Sequence, residues 1–260
     1  MKPTPILASL ATLILTSFSF AADAPVSASD LAAKLSAVQQ DGESYIRLRM
    51  EVGGAKKETL QLQIKQRRIK AGSEVLYQVL FPKERKGEAV LLRKIGSRPA
   101  TGSTLAPGGA LQPISRLQAP LFGGELTYED IIDNFFGWEQ QAIVGTETVD
   151  GVSCQILESR PGKGNRSSYG SVKSWVDVRR TVPLKVEKYS ESGQLVRQIV
   201  TTKVVTDGGR HIPANLSVSG SGKDAPTIVE GSRIRHDVKY GDTGFSEAGV
   251  KDITVPKGGD

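Results

Sequence analysis

The sequence predicts a mainly β protein with few helices (an α+β protein), in which one antiparallel sheet of about ten or eleven strands is accompanied by two short helices. Three observations support this prediction. Segments of alternating polar and apolar residues recur along the chain, turns containing Gly, Asp or Ser separate them, and no internal repeat is present. The clearest series is a four-strand meander over residues 175–218, where residues 184–189 alternate with the period of two of a half-buried strand.

Residues 1–21 are typical of a secretory signal sequence. Lys2 supplies the positive start, an apolar run follows, and Ser19-Phe20-Ala21 forms a small-x-small cleavage site before Ala22. Because no Pro- or Ser-rich linker divides the remainder, we expect residues 22–260 to form a single domain, exported to the periplasm.

The N-terminal half is predicted to contain a helix over residues 31–38, capped at Ser29-Asp30, and then four strands. Each strand has alternating or continuous apolar residues bounded by Gly or Pro. The predicted strands cover residues 45–52, 59–68, 75–81 and 87–95.

Residues 97–124 are rich in Gly, Pro, Ser and Ala, and we expect them to form a mobile flap rather than a packed strand. A helix is predicted over residues 126–136, with Thr127 as its N-cap and acidic residues in its first turn. Its apolar side chains either belong to the core or line an internal cavity, and the sequence leaves both readings open. They are Ile131, Ile132, Phe135 and Phe136.

The C-terminal half is predicted to be almost entirely β. Beside the meander, we expect a hairpin of residues 142–148 and 153–160 around a turn at 149–151, a polar loop at 161–169 and a last strand at 228–240. In the tail, Phe245-Ser246 should be pinned against the fold, whereas residues 257–260 should fray.

Residues that could carry catalysis are few. The two histidines, His211 and His236, lie in strand-like segments where a structural role is expected, and no Gly-x-Ser-x-Gly elbow supplies a nucleophile. The single cysteine, Cys154, is expected to be a buried structural thiol. Residues 219–223 resemble a phosphate loop but lack its first glycine and its following helix, so a hairpin turn is expected. We therefore expect no enzyme, no metal site and no cofactor, and a hydrolase is the least favoured interpretation.

The formal net charge of the chain is +6. This modest excess is compatible with transient contact with anionic membrane surfaces, although the basic clusters also suit solvated strand faces and turns. Export and the scarcity of aromatic residues beside the basic ones argue against nucleic-acid binding.

With the strands placed, the chain resembles the LolA-like family of outer-membrane lipoprotein-sorting proteins over most of residues 40–248. The chain departs from that family at residues 97–117, where relatives tend to have an aromatic and basic strand region. The segments that carry the resemblance are Arg47-Leu48-Arg49-Met50, Val79-Leu80-Phe81-Pro82-Lys83, Leu126-Thr127-Tyr128-Glu129-Asp130, Trp175-Val176-Asp177, Pro183-Leu184-Lys185-Val186-Glu187, Ile212-Pro213 and Phe245-Ser246-Glu247.

The resemblance implies a curved, unclosed antiparallel sheet, a half-barrel, wrapped around short helices with an apolar interior that accepts acyl chains. We expect one apolar face of the strands and the second helix to line this interior. The candidate lining residues are Leu48, Met50, Leu60, Leu62, Ile64, Tyr77, Val79, Leu91, Ile131, Phe135, Trp175, Leu184 and Val186.

The resemblance further implies a non-enzymatic periplasmic carrier that binds lipid or an acylated lipoprotein. Such a carrier would move its ligand between an inner-membrane exporter and an outer-membrane acceptor. The alternative is a periplasmic sensor or adaptor of the same fold, which regulates or assists a membrane-protein partner.

Overall fold

The computed structural model describes residues 26–39, 42–54, 57–69, 72–96, 98–164, 166–220, 225–236 and 238–256. The expected signal sequence and cleavage site, the expected frayed tail and most of the loop at 219–223 lie outside the described residues. Within the described ranges, no helix combines the length and the apolar character needed to cross a membrane.

The described chain forms one antiparallel sheet, which confirms the predicted mainly β fold class. The sheet has thirteen strands rather than the ten or eleven predicted, because two strands lie in the segment expected to be a flap. Its strands are β1 (Ser44–Val52), β2 (Glu58–Ile69), β3 (Gly72–Phe81), β4 (Ala89–Ile95), β5 (Thr101–Leu105), β6 (Leu111–Pro113), β7 (Gln140–Val149), β8 (Val152–Arg160), β9 (Tyr169–Asp177), β10 (Val182–Ser190), β11 (Leu195–Asp207), β12 (Arg210–Gly220) and β13 (Thr227–His236). The helices are α1 (Ala28–Gln39), α2 (Tyr128–Ile132) and α3 (Glu247–Lys251), with 3-10 turns at Lys83–Arg85, Leu121–Gly123 and Phe135–Gly137.

The strands follow the order β6-β5-β4-β3-β2-β1-β13-β12-β11-β10-β9-β8-β7 across the sheet. All neighbours but one are consecutive in sequence, as a meander requires, and the exception joins β1 to β13 at the centre. Since β6 and β7 lie at opposite edges, the sheet is not closed into a barrel. The predicted four-strand meander is confirmed as β9 to β12, although β9 begins at Tyr169 rather than at residue 175.

Both faces of the sheet carry buried apolar clusters. The face of the sheet on which α1 lies is called the concave face, and the opposite face the convex face. On the concave face, α1 packs through Leu31 and Leu35 against a cluster that includes Phe135 and Phe136. On the convex face, the C-terminal segment contributes Phe245, which is 1% exposed and packs against β3 and β4. The prediction that this end of the chain is pinned is therefore confirmed.

The prediction of a mobile flap over residues 97–124 is wrong in part, because β5 and β6 lie within this segment and extend the sheet beyond β4. Gly102 permits the close approach of β5 to β4. A Cβ at this position would lie 2.3 Å from the carbonyl oxygen of Leu91, so a side chain would push the strands apart. The composition indicated a loop because Gly and Ser are weak strand formers.

The predicted helix over residues 126–136 is interrupted. α2 ends at Ile132, and Asp133 has extended backbone with φ −82° and ψ 133°. Asp and Asn side chains compete for local backbone hydrogen bonds, which favours a break before the 3-10 turn Phe135–Gly137.

The predicted N-cap of this helix is confirmed. The hydroxyl of Thr127 accepts a hydrogen bond from the backbone N–H of Asp130, and the carboxylate of Asp130 accepts one from the backbone N–H of Thr127. The cap predicted for the first helix is wrong: α1 begins at Ala28, and the hydroxyl of Ser27 accepts from the backbone N–H of Asp30.

Two further outcomes concern the C-terminal half. Cys154 is a free, buried thiol in β8, as expected. The last strand ends at His236 rather than at residue 240.

Candidate ligand-binding cavity

An open cavity of about 720 Å³ lies between the concave face of the sheet and residues 121–131. Six adjacent strands, β3, β2, β1, β13, β12 and β11, supply its wall, and α2 with the preceding turn supplies its cover. Most lining side chains are apolar. The lining residues are Ile46, Leu48, Met50, Leu62, Ile64, Tyr77, Leu121, Leu126, Asp130, Ile131, Ile199, Lys203, Val205, Asp207, Ile212, Pro213, Ala214, Leu216, Val229, Gly231, Ser232, Arg233 and Ile234.

The apolar wall follows from strand alternation and register. In β1, every second side chain from Ile46 points to the concave face. The register of the pair places Ile46 opposite Ile64 and Leu48 opposite Leu62, so the apolar sets of β1 and β2 form one surface. The intervening side chain of Lys65 in β2 points the other way, where its Nζ donates a hydrogen bond to the backbone carbonyl of Asp252 in the C-terminal segment.

The structure brings six of the thirteen predicted lining residues to this cavity. They are Leu48, Met50, Leu62, Ile64, Tyr77 and Ile131.

The other seven predicted residues are buried elsewhere. Leu60 and Val79 belong to the adjacent filled core, and Leu91 packs with Phe245 on the convex face, because alternation in β4 turns Val90 and Leu92 toward the concave side. The remaining four pack with α1 or around Cys154. Phe135 and Val186 belong to the α1 cluster, and Trp175 and Leu184 to the Cys154 cluster.

Sequence reasoning missed the half of the wall that β11, β12 and β13 contribute. Apolar residues at 199, 205, 212, 216, 229 and 234 were a usable signal. Register shifts in β11 between Thr201 and Val204, and a β-bulge at Ser232 opposite β1, break the period of two along these strands. A pattern search that assumes a strict period therefore assigns their faces wrongly.

A buried ionic cluster fixes α2 to the sheet beside the cavity. The carboxylate of Asp130 accepts hydrogen bonds from Lys188 Nζ at 2.8 Å, Arg197 Nη1 at 2.6 Å and the hydroxyl of Tyr169 at 2.7 Å. Burial alone would raise the pKa of Asp130, but the two cations outweigh it and lower the pKa to about 2. Asp130 is therefore ionised at neutral pH, and burial together with this carboxylate raises the pKa of Tyr169.

The neighbouring acid of α2 makes a second attachment. Glu129 is buried, and its carboxylate accepts hydrogen bonds from the backbone N–H of Ser168 at 2.8 Å and from the hydroxyls of Ser167 at 2.7 Å and Ser168 at 2.5 Å. Gln118 donates to the same carboxylate at 3.0 Å. The sequence showed these acids only as helix-dipole residues, because their serine, tyrosine, lysine and arginine partners lie 38 to 67 positions away along the chain.

The cavity opens where β12 and β13 diverge. These strands pair only through residues 215–218 of β12 and 227–230 of β13. Beyond that point β12 remains paired with β11, and β13 remains paired with β1. Residues of both diverging edges line the cavity, so the separation forms an opening in the sheet.

Local sequence explains the divergence. Pro213 has no backbone N–H to donate across the gap, and the bulge at Ser232 turns β13 aside. At the last residues of β11 and β13, Nε2 of His236 lies 2.9 Å from a carboxylate oxygen of Asp207, so a side-chain contact links the two sides of the opening.

The chemistry of the cavity suits binding. Among the described residues, no group of three or more His, Cys, Asp or Glu side chains is arranged to hold a metal ion. Of the two lining acids, Asp130 is ion-paired with Lys188 and Arg197, and Asp207 contacts His236, whereas His211 does not line the cavity. An apolar wall with polar groups confined to its edges is typical of a site that takes an amphiphilic ligand.

Comparison with known proteins places this geometry in context. A family model described as "Uncharacterized protein" matches residues 109–252. No curated protein matches the sequence.

Three solved structures share the fold over nearly their whole length. A DUF1329 family protein from Desulfovibrio piger superposes with a TM-score of 0.80 at 21% identity, covering 86% of this chain and 97% of that one. An outer membrane lipoprotein-sorting protein domain, so described, from Vibrio parahaemolyticus gives 0.76 at 19% identity, with 85% and 97% covered. A LolA superfamily protein from Nitrosomonas europaea gives 0.68 at 18% identity, with 85% and 98% covered. At these identities the structures show a shared fold, the LolA-like unclosed sheet expected from the sequence.

Proposed function

Because the chain belongs to this family of uncharacterized proteins and has the LolA-like fold, we propose that it is a non-enzymatic periplasmic carrier. In this proposal the cavity shields a lipid, or the acyl chains of a lipoprotein, during passage between the inner and outer membranes. The observation that supports it is the open apolar cavity of about 720 Å³ on the concave face.

The size and lining of the cavity suit such a ligand. Small-molecule sites occupy about 300–1,000 Å³, and burial of acyl chains is favourable by about 0.8 kcal/mol per methylene. Hydrophobic burial alone can therefore hold the ligand in water, and the carrier needs neither covalent chemistry nor an energy source.

Transfer requires a donor and an acceptor. We propose an inner-membrane exporter that loads the cavity and an outer-membrane acceptor that empties it. Export to the periplasm rests on residues 1–21, whose composition is that of a cleaved signal sequence.

Native mass spectrometry of the protein, released from its own periplasm by osmotic shock without detergent, tests the proposal. We expect a polypeptide beginning near Ala22 that carries an additional mass of an acylated molecule, released on collisional activation. Organic extraction of the same sample then identifies the ligand class.

Two results would count against the carrier. A ligand-free protein that also fails to take up added lysophospholipids or acylated peptides would favour the sensor or adaptor of the same fold. A species that retains residues 1–21 in the membrane fraction would contradict release as a carrier.

A further inference from the structure

We propose that the cavity takes an amphiphile with an anionic head group, whose acyl chain fills the apolar interior while Lys203 and Arg233 hold the head group at the opening between β12 and β13. This inference rests on the proposed function and specifies the ligand class of the same site. The shared chemistry is an acyl chain bearing a carboxylate or a phosphate.

The charge balance of the cavity carries the inference. Its charged lining side chains are two acids, Asp130 and Asp207, and two cations, Lys203 and Arg233. Asp130 is paired with two buried cations, Lys188 and Arg197, and a carboxylate oxygen of Asp207 lies 2.9 Å from Nε2 of His236. In the part of the chain that the structure describes, Lys203 and Arg233 form no ion pair.

The two cations stand at the opening rather than inside the cavity. Arg233 is exposed, and its register partner is Arg47, which alternates with the inward-facing Ile46 and Leu48. It therefore belongs to the outer face of the sheet, yet it also lines the cavity, which places it at the rim. Lys203 is exposed and lines the cavity from β11, on the other side of β12.

This placement suits a ligand whose anionic head group stays at the opening. It does not suit a ligand whose charge would be buried inside the cavity. An ion buried against the apolar wall would lose its hydration without compensation, whereas a head group at the rim keeps its water and gains charge-assisted hydrogen bonds. An uncompensated pair of cations at the mouth of an apolar cavity also attracts anions from solution. A neutral head group gains neither effect, and a zwitterionic head group, which has no net charge, is not attracted from solution in this way.

The test compares ligands that differ only in the head group. Calorimetric titration, below the critical micelle concentrations, would measure the affinity for palmitoyl-lysophosphatidylglycerol and for palmitoyl-lysophosphatidylcholine. We expect the anionic ligand to bind about tenfold more tightly at low ionic strength, with the difference shrinking as salt is added. A parallel titration with palmitate distinguishes a carboxylate preference from a phosphate preference.

Variants locate the effect. The double substitution Lys203→Gln and Arg233→Gln should reduce the affinity ratio of the two lysophospholipids to near one, chiefly by weakening the binding of lysophosphatidylglycerol. Arg68→Gln is the matched control, because Arg68 is exposed on β2 and does not line the cavity. This control should keep the ratio of the parent protein.

The outcomes separate the two proposals. Equal binding of both lysophospholipids by the parent protein, or an unchanged ratio in the double variant, overturns the head-group assignment and leaves the carrier function standing. If neither lysophospholipid nor palmitate binds, both the assignment and the carrier function are overturned.

Discussion

The side chain of Asp130 is fully buried and still ionised, and it joins the helix over the cavity to three strands of the sheet. Its carboxylate contacts Lys188 of β10, Arg197 of β11 and Tyr169 of β9. Burial opposes the charge, but two cations within hydrogen-bonding distance more than offset it. Removal of the carboxylate would leave Lys188 and Arg197 without their counterion.

We expect Asp130→Asn to lower the free energy of unfolding at neutral pH by about 3–5 kcal/mol, the usual cost of breaking a buried ion pair. The folded pKa of Asp130, about 2, lies below its ordinary value of 3.8, so its contribution is present at neutral pH and is lost as the pH falls from about 4 toward 2. Urea unfolding of parent and variant across this pH range measures both effects.

Asp242→Asn serves as the control, because Asp242 is exposed in the C-terminal segment. The account of Asp130 would be contradicted if the two substitutions gave the same stability at neutral pH and the same loss of stability in acid.

Two leucines of the concave face distinguish cavity wall from filled core. Leu48 is half-buried and lines the cavity, whereas Leu60 is fully buried and does not. We expect Leu60→Gln to reduce the free energy of unfolding by about 2–5 kcal/mol, because it replaces core packing with an unpaired amide. Leu48→Gln should cost about 1 kcal/mol or less and weaken lysophospholipid binding clearly.

Chemical unfolding and ligand titration of both variants test this difference. If Leu48→Gln lost folding stability as much as Leu60→Gln and kept the parent affinity per folded molecule, the wall of the cavity would be part of an ordinary core.

At the scale of the elements, sequence patterns predicted strands better than they predicted faces. β1, β2 and β3 were predicted to within a few residues because their alternation is regular and turns bound them. The faces predicted for Leu91 in β4, Trp175 in β9 and Leu184 in β10 were wrong, because these strands carry buried apolar side chains on both faces. Contacts between segments far apart in the sequence decide which face of a strand meets the cavity, and a local sequence pattern carries no information about those contacts.

β5 shows how a single backbone position can override composition. Gly102→Ala should lower the free energy of unfolding by about 1–3 kcal/mol, because the new Cβ would lie 2.3 Å from the carbonyl oxygen of Leu91 and force β4 and β5 apart. Gly145→Ala in β7 is the matched control. There the nearest atom to a new Cβ is 3.7 Å away, so the change should be neutral or slightly stabilising.

Thermal unfolding of the two variants measures this contrast. Equal melting temperatures would mean that β5 does not depend on the close approach at Gly102, and that residues 97–124 behave as the flap that their composition indicated.

At the scale of the whole molecule, the unclosed sheet gives the proposed carrier function an accessible interior. A closed barrel would bury its interior permanently. In this sheet the edge strands β6 and β7 are not paired with each other, and β12 diverges from β13, so the concave face remains accessible. The fold class and the meander could be predicted because they are local in sequence. The cavity could be predicted only in part, because its wall combines β1 to β3 with β11 to β13, and β3 ends at Phe81 whereas β11 begins only at Leu195.

Hydrogen exchange measured with and without a bound lysophospholipid tests the central claim, that the concave cavity holds an acyl chain. We expect the ligand to slow exchange in residues 121–131, 212–216 and 229–234, which surround the cavity, and to leave the hairpin of β7 and β8 unchanged. Protection confined to residues outside the cavity, or no ligand-dependent protection anywhere with several acylated molecules, would contradict the account.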